Sequence, residues 1–297
     1  MKYITGYLKG KYMTIGIPYM WLLLFFAIPF TIVLKISFSS AAIAIPPYEP
    51  IYSYVDETFQ ILLNLGNYLL LLDDAMYYQS YLNSLQMAFF STLGCILIGY
   101  PMAYAIARAP ASNQGVLLLL VMLPSWTSFL IRVYAWMGLL SNNGIINNFL
   151  MWLGIISEPI AMLNTNFAVY VGIIYTYLPF MVLPLYSTLV KLDMSLLEAA
   201  ADLGSRNINS FWKITLPLSK SGVIAGSMLV FIPVVGEFVI PELLGGPDTL
   251  MIGKVLWKEF FNNRDWPVAS ALAIVMLAIL AIPIILFNRY QAREMEK

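Results

Sequence analysis

Apolar residues run almost without interruption through six long stretches of this chain, and polar or charged residues gather between them. A helix needs about 20 mainly apolar residues to cross the hydrocarbon core of a bilayer. Stretches at 15–35, 82–107, 115–140, 165–190, 219–241 and 268–288 meet that requirement. The pattern predicts an all-α integral membrane protein with six transmembrane helices. Composition agrees: 60% of residues are apolar, 11% are charged, and the mean hydropathy is +0.78. Soluble domains have about half apolar and a quarter charged residues.

The first stretch has some features of a secretion signal, with Lys2, Lys9 and Lys11 before it and Ala42-Ile43-Ala44 after it. Its apolar run is too long for a signal core, and Lys35 separates it from the small residues, so it reads as a retained anchor. Positive charge in the connecting segments sets sidedness. The segment from Ser37 to Tyr81 carries Asp56, Glu57, Asp73 and Asp74 but neither Lys nor Arg, and the loop from Ser141 to Asn164 repeats that bias with Glu158. Lys191, Arg206, Lys213 and Lys220 lie between spans four and five, Arg108 occupies a short turn, and Arg289, Arg293 and Lys297 close the chain. This alternation puts both the N- and C-termini in the cytoplasm. Only the segment from Pro241 to Pro267 is mixed. The segment after the first span, with Leu69 to Leu72 and Tyr77, Tyr78 and Tyr81, is expected to fold onto the outer ends of the helices.

Several chemistries are excluded. Lys+Arg and Asp+Glu balance at 16 each, so nothing argues for nucleic acid as a partner. Without histidine there is no His-based relay, Ser-His-Asp triad or usual zinc site, and the lone Cys95 can form neither an intrachain disulfide nor a cluster. No catalytic or metal-ligating set is expected. Gly245-Gly246-Pro247 lacks the lysine of a phosphate-binding loop, so this sequence holds no ATPase of its own.

The polar loop between spans four and five has a definite internal plan. Ser195 three residues before Glu198 fits a capping box, Leu196, Leu197, Ala200 and Leu203 make an apolar stripe, and Gly204 suits a left-handed stop. A second short helix, capped by Asn209 or Ser210, is expected to present Phe211, Trp212 and Ile214 before Pro217 breaks it. Two helices this short are unstable alone, so their apolar faces must pack on something. The spacing Glu198-Ala199-Ala200, Gly204, Ile214 and Pro217 resembles the cytoplasmic docking loop of ABC-importer permeases.

Further segments extend that resemblance. Pro124-Ser125-Trp126-Thr127-Ser128-Phe129-Leu130-Ile131-Arg132, the Leu178–Tyr186 run, Gly236-Glu237-Phe238-Val239-Ile240-Pro241-Glu242-Leu243-Leu244-Gly245-Gly246 and Asn262–Pro267 are similar to polyamine-importer permeases of the spermidine/putrescine type, nearest those for putrescine. The resemblance implies a type I importer permease (MetI-like) fold in a bacterial cytoplasmic (inner) membrane. It also implies a second related permease, two ATP-binding subunits that use ATP and Mg, and a periplasmic polyamine-binding protein. The implied division is an anchor helix and external segment over 1–81, a permease domain over 82–290 and a cytoplasmic tail over 291–297.

A route for a flexible aliphatic dication needs carboxylates or carbonyls for its ends and aromatic faces for cation–π contact. Arg132 and Glu237 are intramembrane charges placed at similar depth by straight spans. They are expected to form a buried ion pair, the alternative being that Glu237 attracts the amine and Arg132 orients it. Glu242, Asp248 and Asp265 are placed in the loop after span five, as receivers of the cation or as solvated acids. Trp126, Tyr134, Trp136, Tyr175 and Tyr177 offer rings, with Trp136 expected to stack on Arg132. Gly222 and Gly226 have the spacing of a close helix contact, against the partner permease or within the chain. Putrescine rather than spermidine follows from resemblance alone. A secondary transporter is the rival reading, disfavoured by the lack of an internal repeat.

Overall fold

A computed structural model describes residues 14–55 and 58–295; Lys2, Lys9, Lys11, Asp56, Glu57 and Lys297 lie outside them, and the side chain of Arg293 is likewise not described. The described residues form two compact units, one reaching to Ala75 and including Leu256–Ala278, the other Met76–Val255 with the residues from Ile279.

In the first unit, helix α1 (Thr14–Ser37) covers the first expected apolar stretch and buries none of its most apolar window within the chain. Pro29 does not break it. A π-helical turn at Leu23–Ala27 precedes the proline, with the Ile28 N–H donating to the Leu23 carbonyl. Such a wide turn relieves the clash between a proline ring and the carbonyl four residues back. Beyond α1 the chain makes an antiparallel hairpin, β1 (Tyr52–Val55) with β2 (Thr58–Ile61), in which Tyr52 faces Ile61. Helix α2 (Gly66–Asp73) follows. Buried Asn67 ties α2 to the end of α1 by donating to the carbonyls of Ser37 and Ser39, both at 2.9 Å, and Tyr68 Oη lies 2.6 Å from Ser37 Oγ. The expectation that this segment folds back on a helix end holds at α1.

Asn67→Ala would leave two carbonyls of a buried corner without partners, at about 1–3 kcal/mol. Amide hydrogen exchange across 58–73 should then accelerate at least about tenfold. Unchanged exchange would remove this account of the tether.

The second unit is built on three long helices. Helix α3 (Ala75–Arg108) begins seven residues earlier than the apolar pattern suggested, because Tyr77, Ser80 and Tyr81 form a buried face before the lipid-like run starts. Helix α7 (Asn166–Leu189) agrees with its expected limits to one residue at each end and is the centre of the unit: Ile173, Met181, Leu185 and Leu189 are fully buried. Helix α10 (Lys220–Val235) packs along it. A Cβ on Gly222 would fall 2.6 Å from Thr188 Oγ1, and one on Gly226 2.7 Å from Met181 Sδ. The small-residue spacing therefore serves the α10–α7 contact inside this chain. Helix α3 approaches α7 at Cys95, whose buried thiol lies 3.7 Å from the Ile174 carbonyl.

Two of the six expected spans are not straight. Among the described residues four helices are long and apolar enough to cross a membrane, or up to six if each bent pair is one span. Span three is α4 (Ala111–Met122), extended by a 3-10 turn at Leu123–Trp126, and then α5 (Phe129–Leu140), with α6 (Ile145–Trp152) beyond. The halves meet at 87°. Pro124 tightens the end of the first half, and Thr127 and Ser128 adopt extended ψ values of 158° and 134°, so the helical ladder stops there. Span five is likewise preceded by a helix at 65°, α9 (Asn207–Leu218). It ends at Val235 rather than near Pro241. Gly236 leads into a separate short helix, α11 (Val239–Leu244). Then come α12 (Ile252–Trp257) and the long α13 (Trp266–Met295), which carries the sixth expected span.

Candidate functional site: a docking elbow and a buried carboxylate

Between α7 and α9 lies α8 (Ser195–Asp202), which carries Glu198, Ala199 and Ala200. The capping box does not form. Glu198 N–H donates instead to the Met194 carbonyl at 3.1 Å, and Ser195 N–H, which the Glu198 side chain would take in the box, donates to Asp193 Oδ1 at 2.9 Å; this bond holds the exposed Asp193 carboxyl below its usual range. Asp193 and Glu198 are both carboxylates, but an Asp two residues before the N–H closes a tight local turn onto it, and that Asp was the signal in the sequence. The helix ends as expected. Gly204 has φ +78°, its N–H donates to the Ala201 carbonyl at 2.8 Å, and Ser205 N–H donates to the Ala200 carbonyl at 2.9 Å. These two bonds are the Schellman pair.

The second helix of the elbow starts at Asn207, earlier than Asn209 or Ser210, because Arg206 already has the extended backbone of a cap position. It also runs through Pro217. A π turn at Phe211–Thr215, closed by Leu216 N–H on the Phe211 carbonyl, makes room for the ring, as at Pro29. The break comes at Ser219, whose hydroxyl lies 2.7 Å from Tyr100 Oη. Glu198 and Pro217 are exposed, Ile214 is half-buried, and Leu203 is 89% exposed, with Ile208 and Trp212 also open. The apolar faces that had to pack on something are largely uncovered in this chain.

Glu237 is the second feature. It is 8% exposed and follows the end of α10. Tyr177 Oη donates to Glu237 Oε2 at 2.6 Å, and the N–H groups of Val239 and Ile240 donate to Oε1 at 3.1 and 3.4 Å. The carboxylate thus accepts from the first turn of α11, where unpaired donors and the helix dipole favour negative charge. Among the described residues it has no cation partner. Among the described residues one ion pair is seen, Lys254 Nζ to Glu242 Oε2 at 3.1 Å.

The expected Arg132–Glu237 pair is therefore absent. Equal depth rested on two straight helices, and both are interrupted next to these residues. Arg132 lies instead 5.9 Å from the Phe129 ring, with its Nε buried and without a hydrogen-bond partner. Trp136 does not stack on it; its ring meets Tyr175 edge-on at 5.3 Å. Trp126 is 72% and Tyr134 56% exposed, and neither is joined to Glu237. Glu242 sits on α11 rather than in a loop, and Asp265 caps α13 by accepting from Val268 N–H at 3.0 Å. Of the expected path residues, Tyr177 and Glu237 are brought together. The rest are dispersed.

Residues 96–297 match the profile of the binding-protein-dependent transport system inner membrane component. The chain belongs to that family. It is 40% identical over 269 residues to the spermidine/putrescine transport system permease protein PotB of Escherichia coli (strain K12), covering 91% of this chain and 93% of that protein. The same-named protein of Haemophilus influenzae is 39% identical over 289 residues, covering 97% and 96%. Among solved structures, a bacterial alginate ABC transporter in complex with alginate pentasaccharide-bound periplasmic protein superposes with TM-score 0.72 at 16% identity, covering 95% of this chain and 93% of that one. The inward-facing MetNI methionine ABC transporter gives 0.54 at 16% identity over 72% and 93%. The fold is that of an ABC importer permease, and the chain is a non-catalytic, multi-pass inner-membrane permease subunit.

Proposed function

We propose that this permease carries small aliphatic polyamines, putrescine first, from the periplasm to the cytoplasm, powered by a separate ATPase that grips the α8–α9 elbow. The substrate reading is carried by Glu237, a buried carboxylate satisfied by neutral donors and without a counter-cation among the described residues. Intramembrane charge is costly and calls for a partner. Here an amine in transit supplies it. The names of the PotB relatives support amines as the class, and they favour spermidine as the second substrate reading.

The elbow supports the coupling half of the proposal. Glu198, Ala199 and Ala200 present one short helix, Gly204 turns the chain, and Ile214 and Pro217 lie on the next, with Leu203, Ile208 and Trp212 uncovered. Closure of two ATP-binding subunits, using ATP and Mg on their own chains, would push this elbow and switch the permease and its related partner between outward and inward access. A periplasmic binding protein would deliver the amine. In this reading residues 1–81 are anchor and external segment, 82–290 the permease domain and 291–297 a cytoplasmic tail, with both termini in the cytoplasm. Trp126, Tyr134, Arg132 and Glu242 are secondary path candidates, behind Tyr177 and Glu237.

The test is uptake of labelled putrescine and spermidine by the reconstituted complex, with and without ATP and binding protein, alongside co-purification of an ATPase with the tagged chain. Import of at least one amine that needs both additions is expected. Import of neither sinks the substrate reading, and an elbow that recovers no ATPase sinks the coupling.

A further inference from the structure

A polar cavity lies in the second unit, apart from Glu237. Asn83 and Gln86 of α3, Asn166 and Tyr170 at the start of α7, and Asp248 and Thr249 of the loop before α12 line it. We propose that this cavity is an ammonium-binding subsite that receives one end of the polyamine. The inference rests on the amine reading above and adds a place at which the substrate is held.

Three observations lead there. First, the groups are acceptors left open: the side chains of Asp248, Asn83 and Gln86 are joined to no other described residue by hydrogen bond or ion pair, and none of the described residues that line the cavity is Lys or Arg. An ammonium brings three donors and no acceptor, the complement of one carboxylate and two amide oxygens. Asn83 and Gln86 are three apart on one helix and so share a face, and Tyr170 offers a ring for cation–π contact.

Second, the carboxylate has a rigid mount. Thr249 Oγ1 donates to Asn166 Oδ1 at 2.8 Å and receives the Gly246 N–H at 3.2 Å, and Ile252 N–H donates to Ser84 Oγ at 2.8 Å. Thr249, Met251 and Ile252 are buried. Both flanks of Asp248 are therefore pinned while its side chain stays open, the arrangement a charge-binding group requires.

Third, the size fits an end group. The cavity measures about 130 Å³, below the roughly 300 Å³ at which pockets begin to enclose whole organic ligands. A charged terminus with its first methylenes would fit, and the remainder of the chain would project out.

The experiment uses the assembled transporter. Asp248→Asn is expected to raise the KM for putrescine at least about tenfold, the loss of one charge-assisted hydrogen bond, with complex abundance unchanged and partial recovery in Asp248→Glu. If Asp248→Asn does not assemble, Gln86→Leu carries the same test with a KM increase of about threefold expected. A second readout does not depend on transport. Cys95, the sole native cysteine, is buried, so Leu250→Cys adds one reactive thiol beside the cavity. Putrescine should slow its labelling by a cationic thiol reagent at least threefold, and adding Asp248→Asn should remove that protection. An unchanged KM or absent protection, in a transporter that imports amines, overturns the subsite and leaves the amine reading standing. Failure of the unmodified transporter to import either amine removes both.

Discussion

Glu237→Gln drops amine uptake at least about tenfold in a complex that still assembles. Glutamine matches glutamate in shape, and its carbonyl oxygen can keep the N–H groups of Val239 and Ile240 while its NH2 donates to Tyr177 Oη, whose hydroxyl turns to accept. Folding is thus largely retained. What disappears is the negative charge, and hydrogen bonds to charged groups contribute about 1.5–3 kcal/mol against roughly 1 for neutral ones. Glu237→Ala should be worse in a different way, because it strands three donors in a buried site and would reduce assembly as well. Labelled uptake normalised to recovered complex separates the two. Uptake by Glu237→Gln at the unmodified rate would show that the carboxylate only caps α11.

The second large effect is at Gly204. Nothing lies within 4 Å of a Cβ built there, so a side chain would meet open space and only the backbone objects. Its φ of +78° costs an L-residue about 1–2 kcal/mol, and β-branched residues are the least tolerant. Gly204→Val should open the bonds to Ala200 and Ala201, lose the relative setting of α8 and α9, and lower ATPase recovery and uptake about tenfold. Gly204→Asn adds a side chain of similar bulk but tolerates the left-handed region, and should stay within about threefold of normal. Equal behaviour of the two variants would refute the backbone argument.

These two sites were legible to different degrees. Gly204 could be read because a positive φ at a helix end has one common solution, and the apolar stripe before it marks where that end falls. Helix α7 was legible because most of its 24 positions are apolar and the helix continues through Pro179 and Pro184. The breaks at Thr127-Ser128 and Gly236 were not legible, since hydropathy averages over a span-length window and a few hydroxyls or a glycine within an apolar run do not show where the backbone stops being helical. Losing the breaks meant losing the partners of Glu237. Two of its three hydrogen bonds come from N–H groups that exist only because α11 starts afresh, and no pairing of side-chain charges could have revealed them. Arg132 was misassigned for the same reason. The capping of α8 failed more narrowly: two acceptors, Asp193 and Glu198, lay near the Ser195 N–H, and spacing alone did not rank them.

The wide turn before Pro217 has a consequence for how this elbow can vary. Such a turn holds one residue more than an ordinary one, and a residue corresponds to about 100° of rotation about the axis. Deleting one position among 211–215 would restore the standard phase but drive a carbonyl onto the proline ring, whereas exchanging the proline alone would let the turn close and swing Ile208 and Trp212 to a new bearing. The extra residue and the imino acid are therefore mutually dependent: lineages should gain or shed them together, and a homologue with one but not the other would aim the exposed Ile208 and Trp212 face elsewhere.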